Sequence, residues 1–253
     1  MKVVVIGAGN VATHLAKALY AANVQVTQVW SHHNENAKTL AAELNAKAIA
    51  NLSEIDLAAD ICLVAIKDDA IVEIANQLKD FKGLIAHTSG AVNLNVFECQ
   101  FENYGVFYPL QTFSKSKEVD FKVIPLCLEA NNKSSLDKLK ELASKLSRNI
   151  VEINSEKRKI LHLAAVFACN FTNHLYELAD EILKANQLDF DILRPLIAET
   201  AEKVQTAFPL DVQTGPAIRN DEQTLIKHQQ LLLKQPQLLD IYKTLSDSIK
   251  KTK

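Results

Sequence analysis

The chain has 253 residues, enough for two domains of ordinary size. Its composition, 48% hydrophobic and 23% charged, excludes a chain too polar to build a core. A net charge of -2 leaves no basic footprint for nucleic acid or an anionic membrane, and no apolar stretch reaches the ~20 residues of a membrane span.

The predicted elements begin at once. Val3-Val4-Val5-Ile6 is a continuous β-branched run, the pattern of a strand buried on both faces of a parallel sheet. A helix with Val11, Leu15, Ala18, Leu19 and Ala22 on one stripe follows, then a strand through Val24, Val26, Val29 and Trp30. Leu40, Ala41 and Leu44 mark a second helix, Ala48-Ile49-Ala50 a third strand, and Ser53 with Asp56 a helix start. Asp60 to Ile66 reads as the fourth strand. Asp68 or Asp69 is placed to cap a helix whose buried stripe is Ile71, Ile74, Ala75 and Leu78. Leu84 to His87 is the fifth strand, Val123 to Leu128 another, Ser134 to Leu146 a helix and Ile150 to Ile153 a last short strand. Alternation of strands and helices predicts a doubly wound parallel sheet, the α/β Rossmann class. Beyond residue 155 only helices are predicted, over 156–185, 191–207, 221–234 and 236–250. The expected organisation is therefore a dinucleotide-binding domain over 1–154 and an all-α domain over 155–253.

The four cysteines have no CxxC spacing, and three of them sit in apolar runs. They read as buried thiols of a reducing compartment, with neither a disulfide frame nor a metal site. The strand pattern starts at residue 2, which leaves no room for a signal peptide, so the cytoplasm is the expected location.

Glycine is scarce, six in all, and two of the six follow the first strand directly. Gly7-Ala8-Gly9-Asn10-Val11-Ala12 is G-x-G-x-x-A between a strand and a helix, the context a dinucleotide fingerprint requires. Gly7 permits the tight turn, Gly9 leaves room for a pyrophosphate, and Ala12 lets helix and strand pack closely. The helix N-terminus offers free N–H groups to the phosphates. The second strand ends in Ser31-His32-His33, with no acid before Glu35. A carboxylate there would hold the ribose hydroxyls of NAD and repel a 2′-phosphate; its absence favours NADP. Ligands of open α/β sheets sit beyond the carboxyl ends of the strands. Ala65, Ile66 and Asp68 after the fourth strand, and His87, Thr88, Ser89 and Gly90 after the fifth, should therefore face the nicotinamide end. Ser89 either binds a substrate carboxylate or carbonyl or forms a plain capped turn.

Residues Ile160 to Phe171 are apolar on nearly every face, as in a helix buried in a core or against a second subunit. Within that run His162 and Asn170 alone are polar, and uninterrupted α winding puts them on one side. Either they form a structural hydrogen-bond network, or His162 is a general acid and Asn170 orients substrate. In Gly215 to Asp221, Arg219 can clamp a substrate carboxylate while Asp221 caps the next helix. Tyr108 to Phe113, with Gln111, forms a candidate cleft loop.

These segments, in this order, resemble the bacterial Rossmann-like oxidoreductases whose C-terminal half is a domain of unknown function. They are similar to the superfamily of 6-phosphogluconate dehydrogenase, ketopantoate reductase and pyrroline-5-carboxylate reductase. The resemblance implies hydride transfer with NAD(P), a helical C-terminal domain and a homodimer formed through it. Ser89-Gly90 is similar to the Ser-Gly-Gly substrate loop of β-hydroxyacid dehydrogenases, with Ala91 in place of the second glycine. The catalytic Lys-x-x-x-Asn of those enzymes has no match here: Leu163 stands four residues after Lys159, and Val166 four after His162. The expected activity is reduction of a small oxo acid or imine. An NADP-binding sensor without turnover and a dimer with a vestigial Rossmann half are the alternatives, the latter opposed by the intact glycine loop.

Overall fold

The computed structural model describes residues 1–252. Eight strands form one sheet in the order β3-β2-β1-β4-β5-β6-β7-β8. They are β1 (Lys2–Ile6), β2 (Gln25–Trp30), β3 (Lys47–Ile49), β4 (Ile61–Val64), β5 (Leu84–His87), β6 (Tyr104–Pro109), β7 (Leu126–Ala130) and β8 (Ile150–Glu152). Every neighbouring pair is parallel except β6 with β7. The order reverses between β1 and β4, the switch point at which doubly wound sheets bind ligands.

The continuous apolar runs are buried on both faces, as expected. Val3 and Val5 point into a core with Leu15 and Leu19 of α1 (Asn10–Ala21), Leu40 of α2 (Asn34–Glu43), and Leu139 and Leu142 of the later helix Lys133–Ser144. Val4 and Ile6 point the opposite way, to Ile71 and Ile74 of α3 (Ile71–Gln77), Phe97 and Tyr108. The helix Lys133–Ser144 is α4, capped by the Asn132 side chain accepting from Ser135 N.

Several boundaries differ from expectation. β6 has no counterpart among the expected strands, because Gly105 and Pro109 mark turns in an isolated sequence; both are tolerated here, Pro109 as the last residue of the strand. The strand expected at Val123–Leu128 begins at Leu126, after a 3-10 turn at Phe121–Val123. Ser53 and Asp56 start no α-helix: a 3-10 turn spans Leu52–Glu54, and the Glu54 carboxylate accepts from the backbone of Asn51 and Ala50. Neither Asp68 nor Asp69 caps α3; they lie in a preceding 3-10 turn. Cys62 and Cys127 are buried, but Cys99 and Cys169 are exposed.

The helix expected over 156–185 is divided. α5 (Ser155–Ala165) passes into a π-helical turn, Val166–Phe171, and then α6 (Thr172–Ala185). Chain compactness separates Met1–Cys169 from Asn170–Lys253, so α5 belongs with the sheet, one helix later than the pattern change at 154. Only one side of α5 meets that core, through Leu161. Ile160 and Leu163 are exposed in the single chain, so of the two expectations for this run, burial in the chain's own core does not hold.

The second unit carries α6, α7 (Arg194–Thr206), α8 (Glu222–Leu231) and α9 (Pro236–Lys250). Asp221 caps α8 through Thr224, and His228 Nδ1 meets Tyr242 Oη at 2.9 Å between α8 and α9. Neither α6 nor α7 has a buried residue. Among the described residues no helix is long and apolar enough to cross a membrane.

Candidate functional site

Gly7 has φ +125°, and a Cβ there would lie 2.1 Å from the Ala65 carbonyl oxygen and 3.3 Å from Ile66 Cγ2. The loops after β1 and β4 thus touch at the switch point, and only glycine permits it. Gly9 faces open space: a Cβ there meets nothing within 4 Å. It is also the N-cap of α1, with no side-chain cap bond, so the first-turn N–H groups stay available to an anion. Ala12 is fully buried against the strand, and Val11 packs at the edge of the core. This cradle fits the pyrophosphate of a dinucleotide. Asn10 Nδ2 donates to Phe113 O (3.0 Å), and His14 Nε2 contacts Ser114 O at 2.8 Å. The loop after β6 is therefore tied to the cradle's helix, while the Gln111 side chain accepts from Thr112 N beside it.

Ser31, His32 and His33 follow β2, and both histidines are exposed. His33 is the N-cap of α2, again without a side-chain cap. Glu35, the nearest acid, is paired with Lys38 at 2.7 Å. No carboxylate precedes it after β2, which suits a 2′-phosphate. Asp68 lies in an exposed 3-10 turn beyond Ala65 and Ile66.

The carboxyl ends of β5 and β6 carry the second cluster. His87 is fully buried, and its Nδ1 accepts from Ser89 N at 3.2 Å. The ring proton therefore sits on Nε2, which has no partner. Burial, and secondarily the charge of Arg158, pushes its pKa down to about 3, so the ring is neutral at physiological pH. Ser89 Oγ accepts from Ala91 N and Val92 N, both at 3.0 Å, which makes the capped turn of the structural reading. Thr88 is buried next to it. A Cβ on Gly90 would lie 2.7 Å from His162 Nδ1 and 2.9 Å from Tyr108 Cζ. Tyr108 Oη in turn lies 3.0 Å from His162 Nδ1. Gly90 and His162, both expected in the site, are thus brought together.

α5 is held in place by a buried ion pair. Arg158, fully buried, donates to the Glu129 carboxylate, to Val92 O and to Ser155 Oγ. Ser155 donates from N and Oγ to Glu129, both at 2.8 Å, and accepts from Leu94 N at 2.9 Å. The turn after β5, the strand β7 and the start of α5 are locked in one network. His162 follows Arg158 by four residues, on the same side of the helix.

Two expected site residues lie outside the first unit. Asn170 and Arg219 belong to the second unit, where both are exposed. Asn170 lies in the π-helical turn Val166–Phe171, where the winding departs from the α-helical spacing assumed for the uninterrupted helix. Tyr108, expected in a loop, lies instead in a strand whose last residues carry its phenol to the carboxyl edge.

The switch-point sheet, the uncapped glycine cradle and the polar cluster beside it define a Rossmann-type oxidoreductase. The chain belongs to a family of NADP oxidoreductases. It is 45% identical to a candidate NADP oxidoreductase from Bacteroides fragilis, over 99% of this chain and 98% of that one, with a TM-score of 0.92. Residues 2–86 match the family described as NADP oxidoreductase coenzyme F420-dependent, and residues 124–249 match a domain of unknown function, DUF2520. A Thermotoga maritima protein shares the fold at 23% identity, covering 98% and 97% of the two chains with a TM-score of 0.74. So does an imine reductase from Myxococcus stipitatus in complex with NADP+, at 17% identity, 99% and 92% coverage and a TM-score of 0.64. No curated protein matches the chain.

Proposed function

We propose that the chain reduces a small imine or oxo acid with NADPH, the nucleotide lying across residues 1–154 and residues 155–253 supplying substrate and subunit contacts. The observation that carries this reading is the convergence of Gly90, Tyr108 and His162 at the same sheet edge as the open Gly9 cradle. When bound, the reduced nicotinamide supplies a hydride. The α1 N-terminus would hold the pyrophosphate, and Ser31, His32 and His33 the 2′-phosphate. Backbone groups around Ser89 and Gly90 would orient the substrate, and His162 belongs to the acid that delivers a proton. The imine reductase that shares the fold supports the substrate class.

Trp30, the single tryptophan, ends β2 beside the proposed 2′-phosphate site. Its fluorescence should fall on titration with NADPH at micromolar concentrations, with NADH binding about tenfold weaker or worse, about 1.4 kcal/mol. NADH affinity equal to or above that of NADPH would remove the assignment of Ser31, His32 and His33.

A homodimer through the helical unit is proposed on exposure. Leu196 of α7 is 62% exposed and Leu231 of α8 79%, and neither α6 nor α7 buries a residue in the single chain. Amphipathic helices need a cover for their apolar faces. Light scattering should give twice the mass of one chain, and Leu196→Asp should shift it toward the monomer. A monomeric wild type at micromolar concentration excludes the dimer.

A further inference from the structure

We propose that Tyr108 is the terminal proton donor of this reductase and that His162 stands behind it, restoring the proton to the phenol. The inference rests on the reductase reading above and assigns within it the group that meets the substrate.

Position comes first. Tyr108 is the last residue but one of β6, at the carboxyl edge where ligands of such sheets bind, and it is 9% exposed. Its side chain lies on the α3 face of the sheet, with Val106. The His162 ring stands edge-on to it, centroids 6.0 Å apart, and Nδ1 is committed to the phenol at 3.0 Å. Gly90 lies directly against both rings, with no room for a side chain between, so the phenol and the Ser89–Gly90 backbone form one continuous surface.

The alternatives near this edge are occupied or sealed away by burial. His87, whose Nδ1 is held by Ser89 N, is fully buried. The Ser89 hydroxyl accepts two backbone N–H groups. Lys159, the nearest analogue of an amine acid, lies in an ion pair with Glu156 at 3.3 Å. The chemistry of the phenol agrees with the geometry. Burial, with Cys127 adding and Arg158 opposing, pushes the Tyr108 pKa up to about 12, so the group keeps its proton at neutral pH and acts as a donor.

The step balances. The Oη–H bond of Tyr108 breaks as an N–H bond forms on an imine, or an O–H bond on an oxo acid, while the neighbouring carbon takes the hydride. The phenolate receives the Nδ1 proton of His162 as solvent delivers a proton to Nε2, so the net charge of the ring is unchanged.

Tyr108→Phe and His162→Ala test this, with 1-pyrroline and 2-oxobutanoate as probes. Tyr108→Phe should lower kcat by about 100-fold or more, with NADPH quenching of Trp30 unchanged as proof of folding and binding. His162→Ala should cost less, and added imidazole should restore part of the lost kcat. Independently of turnover, the 13Cζ resonance of Tyr108 should move in His162→Ala, reporting loss of the 3.0 Å contact with Nδ1. A wild type that turns over while Tyr108→Phe keeps its kcat overturns the donor assignment alone. A Tyr108 resonance blind to His162 overturns the relay. A wild type that oxidises NADPH with neither probe, nor with other imines and oxo acids, overturns the reductase reading and the donor role with it.

Discussion

Glu129→Ala is expected to destabilise the protein by about 3–5 kcal/mol, because it strands a guanidinium that has no access to water. Arg158 is fully buried, and Glu129 supplies its one carboxylate among the described residues. Arg158 Nε has no partner even in the intact network, so nothing stands ready to replace the lost charge. Ser155 would lose both of its bonds to Glu129 as well, and with them the start of α5. In a chain of this size the loss corresponds to a fall in Tm of about 10 °C or more. Urea unfolding measures it, and a change below about 1 kcal/mol would show the pair to be incidental. The double variant Glu129→Leu with Arg158→Met should recover much of the loss, since apolar groups of similar volume often replace a buried ion pair without penalty. Surface pairs such as Lys38–Glu35 serve as controls: they are solvated, and their removal should change stability by less than about 1 kcal/mol.

The second large effect is on acid stability. His87 has its pKa depressed to about 3 against an ordinary value of 6.5, so the folded chain binds fewer protons at this site than the unfolded chain. Its contribution to stability is complete above pH 6.5 and is lost as pH falls from there toward 3. Between those limits the loss approaches about 1.4 kcal/mol per pH unit for this one group. His87→Asn keeps an acceptor for Ser89 N and removes the titration. Its stability should therefore fall less steeply than that of the wild type between pH 6 and pH 4, by about one proton's worth of slope. Parallel curves for the two proteins would show that His87 is not held neutral by its surroundings.

The fold was legible because burial on both faces of a parallel sheet leaves a continuous apolar trace. Val3 to Ile6, Ile61 to Val64 and Leu84 to Ala86 carry it, and each lies in a strand. The glycine cradle was legible because Gly7 and Gly9 answer local steric demands that a sequence records directly. Tyr108 was not, since its role depends on the pairing of β5, β6 and α5, and because Gly105 and Pro109 obscured the strand that presents it. Ser89 shows the converse: its position was foreseen, but its hydroxyl is spent on the turn that carries Gly90. The ion pair of Arg158 with Glu129 joins residues 29 apart in the chain, a separation at which charge pattern predicts nothing. Exposure of Ile160 and Leu163 was beyond reach as well, because an apolar helix reads alike whether its cover comes from the same chain or from another.

The single antiparallel pairing of the sheet sets the direction of α5. Because β7 and β8 run against β6, the chain leaves β8 at the edge opposite the cradle, and the helix that follows climbs back toward it beside β6. Arg158 grips Glu129, which is paired with Val106, and four residues later His162 grips Tyr108, two residues beyond Val106. Four helical residues rise about 6 Å and two strand residues about 6.6 Å, so helix and strand keep step over that interval. The spacing between Arg158 and His162 is therefore a molecular ruler: one residue inserted into α5 between them would turn His162 through about 100° and detach it from the phenol while Arg158 stayed anchored.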